Sequence, residues 1–142
     1  MNLQKPGLLF LLVVISANSF AQKIQNAKDD TNPGEMMVRI AEIEIDSNFV
    51  DEYVAILKEE SEASVRLEPG VICIYPMFEK ENPTQVRLLE VYANKEAYES
   101  HLQTPHFKYY KEATLKMVKD LKLIDMEAID VEMMSMIFRK LE

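Results

Sequence analysis

The chain has 142 residues, 48% of them hydrophobic, which suits one domain with one ordinary core. Its 16 Lys and Arg face 24 Asp and Glu, a net charge of −8, so it lacks the basic footprint that a nucleic acid or an anionic membrane surface needs. Its single cysteine, Cys73, excludes an internal disulfide, and its three glycines, Gly7, Gly34 and Gly70, are too scattered for a phosphate-cradling loop.

Residues 1–21 read as a secretory signal. Lys5 supplies the positive charge, Leu8 to Ile15 is an unbroken apolar run, and Ser19-Phe20-Ala21 places small residues before a cut. The run is far shorter than the roughly 20 apolar residues of a spanning helix. No cysteine follows the cut, so no lipid anchor and no membrane anchor after cleavage are expected. The signal carries one lysine and no acid, so the mature net charge is 15 − 24 = −9. The expected destination is the periplasm or the exterior. Residues 22–36 are polar and read as a flexible leader.

A domain is expected over 37–132. Met37 to Asp46 is rich in β-branched residues and alternates, with Ala41, Ile43 and Ile45 on one side and Glu42 and Glu44 on the other, which predicts a strand. Asp46-Ser47-Asn48 offers helix caps. Phe49, Tyr53, Ile56, Leu57, Ala63 and Leu67 then recur at helical spacing, ending at Glu68-Pro69-Gly70. Val71 to Lys80 predicts a second strand, Glu81 to Thr84 a turn, and Gln85 to Ala93 a third strand, so the two form a hairpin. Asn94 caps a short helix through His101. Thr104-Pro105 starts another, with Phe107, Tyr110, Thr114, Met117, Val118 and Leu121 on one face. A fourth, weaker strand is expected from Lys122 to about Val131. Residues 133–142 form a tail without a clear period.

The order β-α-β-β-α-β predicts an α+β, ferredoxin-like domain: a four-stranded antiparallel sheet with the helices on one face. Leu88, Leu89 and Val91 make both sheet faces apolar, so a homodimer with the sheets packed face to face is expected, a dimeric α+β barrel. Cys73, within Val71-Ile72-Cys73-Ile74-Tyr75, reads as a small buried hydrophobe. One Cys and two His cannot supply a metal quartet, and no metal is expected.

Four segments carry a family resemblance: Glu68-Pro69-Gly70-Val71, Leu89-Glu90-Val91-Tyr92, Asn94 through His101, and Thr104-Pro105-His106-Phe107. Together they resemble the antibiotic biosynthesis monooxygenase domain, including its quinol monooxygenases and its relatives that process autoinducer-2. The resemblance spans about Met37 to Val131. It implies a dimeric barrel and, for some members, oxygenation of a quinol-like aromatic with no metal, flavin or haem, at a site between sheet and helices. Haem-degrading relatives use a tryptophan, and this chain has none.

Within that frame His101 is the expected catalytic base, able to take a proton from a phenolic or enolic hydroxyl near neutral pH. Glu90, a carboxylate on a largely apolar strand, is expected to orient a histidine or a substrate hydroxyl, or else to pair with Arg39 or Arg87. Tyr75, Tyr92, His106, Phe107 and Tyr110 are the expected substrate-binding residues around a small aromatic or quinol-like ligand. The competing functions are an isomerase of a small dicarbonyl compound and a non-catalytic ligand-binding or stress-related envelope protein.

Overall fold

The computed structural model describes residues 32–141, so the expected signal and most of the leader lie outside the described residues. The elements are β1 (Met37–Ile45), α1 (Val50–Leu67), β2 (Val71–Glu79), β3 (Asn82–Tyr92), α2 (Lys95–His101), α3 (Pro105–Thr114), β4 (Val118–Met126) and α4 (Glu132–Arg139). A short 3₁₀ turn, Pro33–Glu35, precedes β1. The four strands form one antiparallel sheet in the order β2-β3-β1-β4. This is the ferredoxin-like arrangement expected from the element order. No described helix is long and apolar enough to cross a membrane.

The register sorts side chains into rows. On the helix side, Phe78, Val86, Ile43 and Leu121 form one row, and Pro76, Leu88, Ala41 and Leu123 the next. The third row is polar: Ile74, Glu90, Arg39 and Asp125. On the opposite side, Tyr75-Leu89-Ile40-Ile124 and Cys73-Val91-Val38-Met126 are apolar rows, and Met77-Arg87-Glu42-Lys122 is charged. The period of two that separates the faces of a strand produces both surfaces from one alternation. The core lies on the helix side, where Ala41, Ile43, Ile45, Val86 and Leu88 meet Tyr53 and Leu57 of α1.

Four local expectations are corrected. The helix of α3 stops at Thr114, and Val118 and Leu121 belong to β4, four residues earlier than expected. Their helical spacing is coincidental. Pairing of Val118 with Ile45 and of Leu121 with Ile43 outweighs it, because a ladder satisfies backbone groups that a longer helix would carry away from the sheet. The hairpin turn is Lys80-Glu81, and Asn82 to Thr84 are strand. Pro83 is tolerated there because it lies beyond Gln85, the last β3 residue paired with β1. Asp46 does not cap α1; its carboxylate accepts hydrogen bonds from the Asn48 backbone (2.9 Å) and side-chain (2.8 Å) nitrogens, and the helix opens at Phe49 without a side-chain cap. The tail contains a helix, α4, none of whose residues is buried.

The expected caps of the two short helices hold. Asn94 Oδ1 accepts from the Ala97 N–H at 2.8 Å, and Thr104 caps α3 with Pro105 in its first turn. These caps fix where His101 ends one helix and where His106 starts the next. Gly70 matters for the same reason. A Cβ there would lie 2.5 Å from the Ala97 Cβ, so only glycine lets α2 sit against the turn after α1.

Candidate active site

A cavity of about 210 Å³ lies between the polar row of the sheet and the helices. Its wall is mostly apolar, with Ala41, Ile43, Ile74, Leu88, Leu121, Leu123, Leu102 and Phe107. Its polar groups come from Arg39, Glu60, Glu90, Tyr92, Tyr98, His101, Tyr110 and Lys111. A mainly apolar hollow with a few convergent polar groups is the usual form of a small-molecule site.

His101 is 3% exposed and lines this cavity. Its ring rests 4.7 Å from the Phe107 ring and 5.5 Å from the Tyr92 ring, centroid to centroid. Its Nδ1 is 3.0 Å from Glu68 Oε1. A carboxylate only accepts, so Nδ1 carries the hydrogen; in the neutral ring Nε2 is then the acceptor. Nε2 sits 3.8 Å from Glu60 Oε1 on α1. Burial raises the Glu60 carboxyl above its ordinary range, with hydrogen bonding from Ser64 at 2.8 Å opposing that shift.

Glu90 also lines the cavity. Burial pushes it from 4.5 up to about 7, and the positive charge of Arg39 across the strand pair opposes the shift. Arg39 is held elsewhere: its Nε donates to Asp125 Oδ1 at 2.8 Å, and its guanidinium lies 4.5 Å above the Tyr98 ring. Arg39 therefore attracts Glu90 without bonding it. Tyr92 Oη reaches Glu90 Oε2 at 3.4 Å, and burial keeps that phenol protonated. Tyr110 Oη pairs with Tyr53 Oη at 2.7 Å, and burial pushes Tyr110 up to about 12.

The sequence-selected residues fall into two groups. His101, Glu90, Tyr92, Phe107 and Tyr110 all line the cavity. Tyr75 does not. It sits on the opposite face of the sheet in the Leu89 row and is 61% exposed, because one residue's shift along a strand reverses the face. His106 is also outside the wall; its Nε2 lies 2.6 Å from Glu68 Oε1. The facing atoms of Glu68, His101 and His106 lie within 4.8 Å of one another, a cation-like spacing, and the two hydrogen bonds to one carboxylate oxygen account for it.

Sequence reasoning missed Glu60, Glu68, Tyr98 and Arg39 as parts of this site. Glu60 had a signal: it falls seven residues after Tyr53 and four before Ser64, on the buried face of α1. Glu68 had another. An acid at a helix C-terminus opposes the helix dipole and calls for a local cationic or N–H partner.

The family model for antibiotic biosynthesis monooxygenase matches residues 36–113. No curated protein matches the chain. A solved structure from Bacteroides thetaiotaomicron, assigned to the antibiotic biosynthesis monooxygenases, is 52% identical over 70% of this chain and 94% of its own, with a TM-score of 0.69. A Lactobacillus acidophilus protein assigned as a monooxygenase is 32% identical over 64% of this chain, with a TM-score of 0.63; the match spans 43% of that longer protein. A Nitrosomonas europaea structure, 19% identical over 67% of this chain and 91% of its own at a TM-score of 0.63, shares the fold. The chain belongs to the antibiotic biosynthesis monooxygenase family.

Proposed function

We propose that this protein is a monooxygenase that uses dioxygen, without a bound cofactor, on a small quinol-like aromatic. The observation that carries the reading is the placement of His101: a buried imidazole, held by Glu68 through Nδ1, in the wall of an apolar cavity. An apolar cavity of about 150 Å³ takes up benzene. The larger hollow here suits a substituted aromatic ring.

In this reading Nε2 of His101 takes the proton of an aromatic hydroxyl. The phenolate formed is electron-rich enough to pass one electron to dioxygen. Recombination makes a C–O bond at a ring carbon that still bears hydrogen. Protonation gives a hydroperoxide. Loss of the ring C–H proton then breaks the O–O bond and expels hydroxide, which takes a proton to become water. One oxygen atom ends in the quinone carbonyl and the other in water. Two protons leave the substrate and two are consumed. Glu90, near 7, is protonated in about half the molecules at neutral pH, and that form can lend its proton to the peroxide. Tyr92 and Tyr110, kept protonated by burial, offer donors to the developing carbonyl oxygens.

The same reading includes a homodimer and a location outside the cytoplasm. The two apolar rows on the far side of the sheet, where Tyr75 and Met126 are exposed although Val91 is fully buried, support face-to-face pairing beside the charged Arg87-Glu42-Lys122 row. The apolar segment at residues 8–15 supports export.

Oxygen uptake with a panel of substituted hydroquinones and naphthols tests the reaction. The expected result is uptake with quinone formation, lost in His101→Ala. Equal rates for the protein and this variant across the whole panel would overturn it.

A further inference from the structure

Glu68 links two histidines through one oxygen. Its Oε1 lies 3.0 Å from His101 Nδ1 and 2.6 Å from His106 Nε2. The three side chains step outward, at 3% exposure for His101, 12% for Glu68 and 21% for His106. Glu68 also borders a second hollow, of about 220 Å³, with Gly70, Ser100 and Thr104 in its wall. His101 does not border that hollow; it faces the cavity described above. One carboxylate therefore connects a ring on the cavity to a ring nearer solvent.

A single carboxylate balances a single imidazolium. Two imidazoliums around it, with their facing atoms within 4.8 Å, would repel each other. One imidazolium beside this carboxylate therefore disfavours a second. The charged and titratable groups packed around His101 are Glu60 from α1, Glu68 at the C-cap just beyond it, Tyr92 from β3 and His106 from α3, which also contributes the neutral Phe107.

We propose that Glu68 and His106 are positioning residues: Glu68 sets the tautomer of His101, and His106, nearer solvent, gives up a proton as His101 gains one. Glu68 locks His101 with its hydrogen on Nδ1, which leaves Nε2 as the base. When Nε2 takes a proton from the substrate hydroxyl, His106 releases one to water from its other nitrogen. The positive charge moves between the rings and the total on the three residues is unchanged. No electron moves in this step. The proposal rests on the reading of His101 as the base.

Imidazole ¹⁵N NMR across pH tests the arrangement with no substrate present. The expected spectrum of the neutral rings shows the hydrogen of His101 on Nδ1 and that of His106 on Nε2. In Glu68→Gln both rings should populate both tautomers. A wild-type His101 protonated mainly on Nε2, or tautomers unchanged in Glu68→Gln, would overturn the proposal. With any quinol that the protein oxidises, His106→Gln should lower kcat about tenfold, and added imidazole should restore it. An unchanged kcat, or a loss that imidazole does not rescue, also overturns it. If no quinol is oxidised, the functional reading fails while the NMR result still decides the proton arrangement.

Discussion

Replacing Glu90 by glutamine removes one ionisable group from the cavity wall while keeping its shape. Burial raises this carboxyl from 4.5 to about 7, so the folded chain binds its proton more tightly than the unfolded chain does. Between those values the native state holds more protons than the unfolded state, and stability falls as pH rises through that window. Each tenfold change in proton affinity is about 1.4 kcal/mol, so ionised Glu90 destabilises the fold by about 3 kcal/mol above pH 7. Below pH 4.5 this cost is absent. Glu90→Gln should therefore be more stable than wild type by about 3 kcal/mol at pH 8 and nearly equal to it at pH 4.5. Urea unfolding of both proteins at several pH values measures the difference, and other titrating groups cancel in the comparison. A difference independent of pH would refute the assignment of Glu90 as a buried, poorly solvated acid. So would a loss of stability at pH 8. The same substitution should slow quinol turnover, which separates a functional acid from an incidental one.

Three further outcomes follow from particular contacts. Tyr53→Phe and Tyr110→Phe each leave a hydroxyl without its 2.7 Å partner; each should cost about 1–2 kcal/mol, and the double variant should cost less than their sum in a double-mutant cycle. Gly70→Ala should lower stability by about 1–3 kcal/mol through the 2.5 Å approach to Ala97, and adding Ala97→Gly should recover much of it on thermal unfolding. Leu89→Asp, in the middle of the open sheet face, should sediment at the mass of one chain while wild type sediments at twice that mass; a wild-type monomer would remove the dimer from the account.

The fold was legible because alternation and breakers agree with one another. Ala41, Ile43 and Ile45 alternate with Glu42 and Glu44, and the structure buries that first set. Glu68-Pro69-Gly70 stops α1, and Asn94 and Thr104 start the next two helices. Misreadings arose where tertiary pairing overrides local pattern. Val118 and Leu121 fit a helix face by spacing, yet the β1 ladder takes them. Leu67 fits the apolar stripe of α1 and is 53% exposed, whereas Glu60, Ser61 and Ser64 are buried in its place. That exchange hid part of the site, because a buried polar stripe looks like a solvated face in sequence. Glu90 and Tyr92 share the helix side of β3 because side chains two apart on a strand face the same way. Tyr75 was misplaced because a tyrosine in a strand announces no face. The joining of His101 to His106 through Glu68 spans 38 residues, and no local pattern encodes it.

The central claim is that a hydroxyaromatic binds in the cavity with its hydroxyl on His101. A crystal structure of the complex with a substituted hydroquinone, formed without dioxygen, tests it most directly. The ring is expected between Phe107 and Leu88, with one hydroxyl at hydrogen-bond distance from His101 Nε2. A ring bound elsewhere, or one seated in the cavity with His101 bonded only to Glu68 and Glu60, would contradict it.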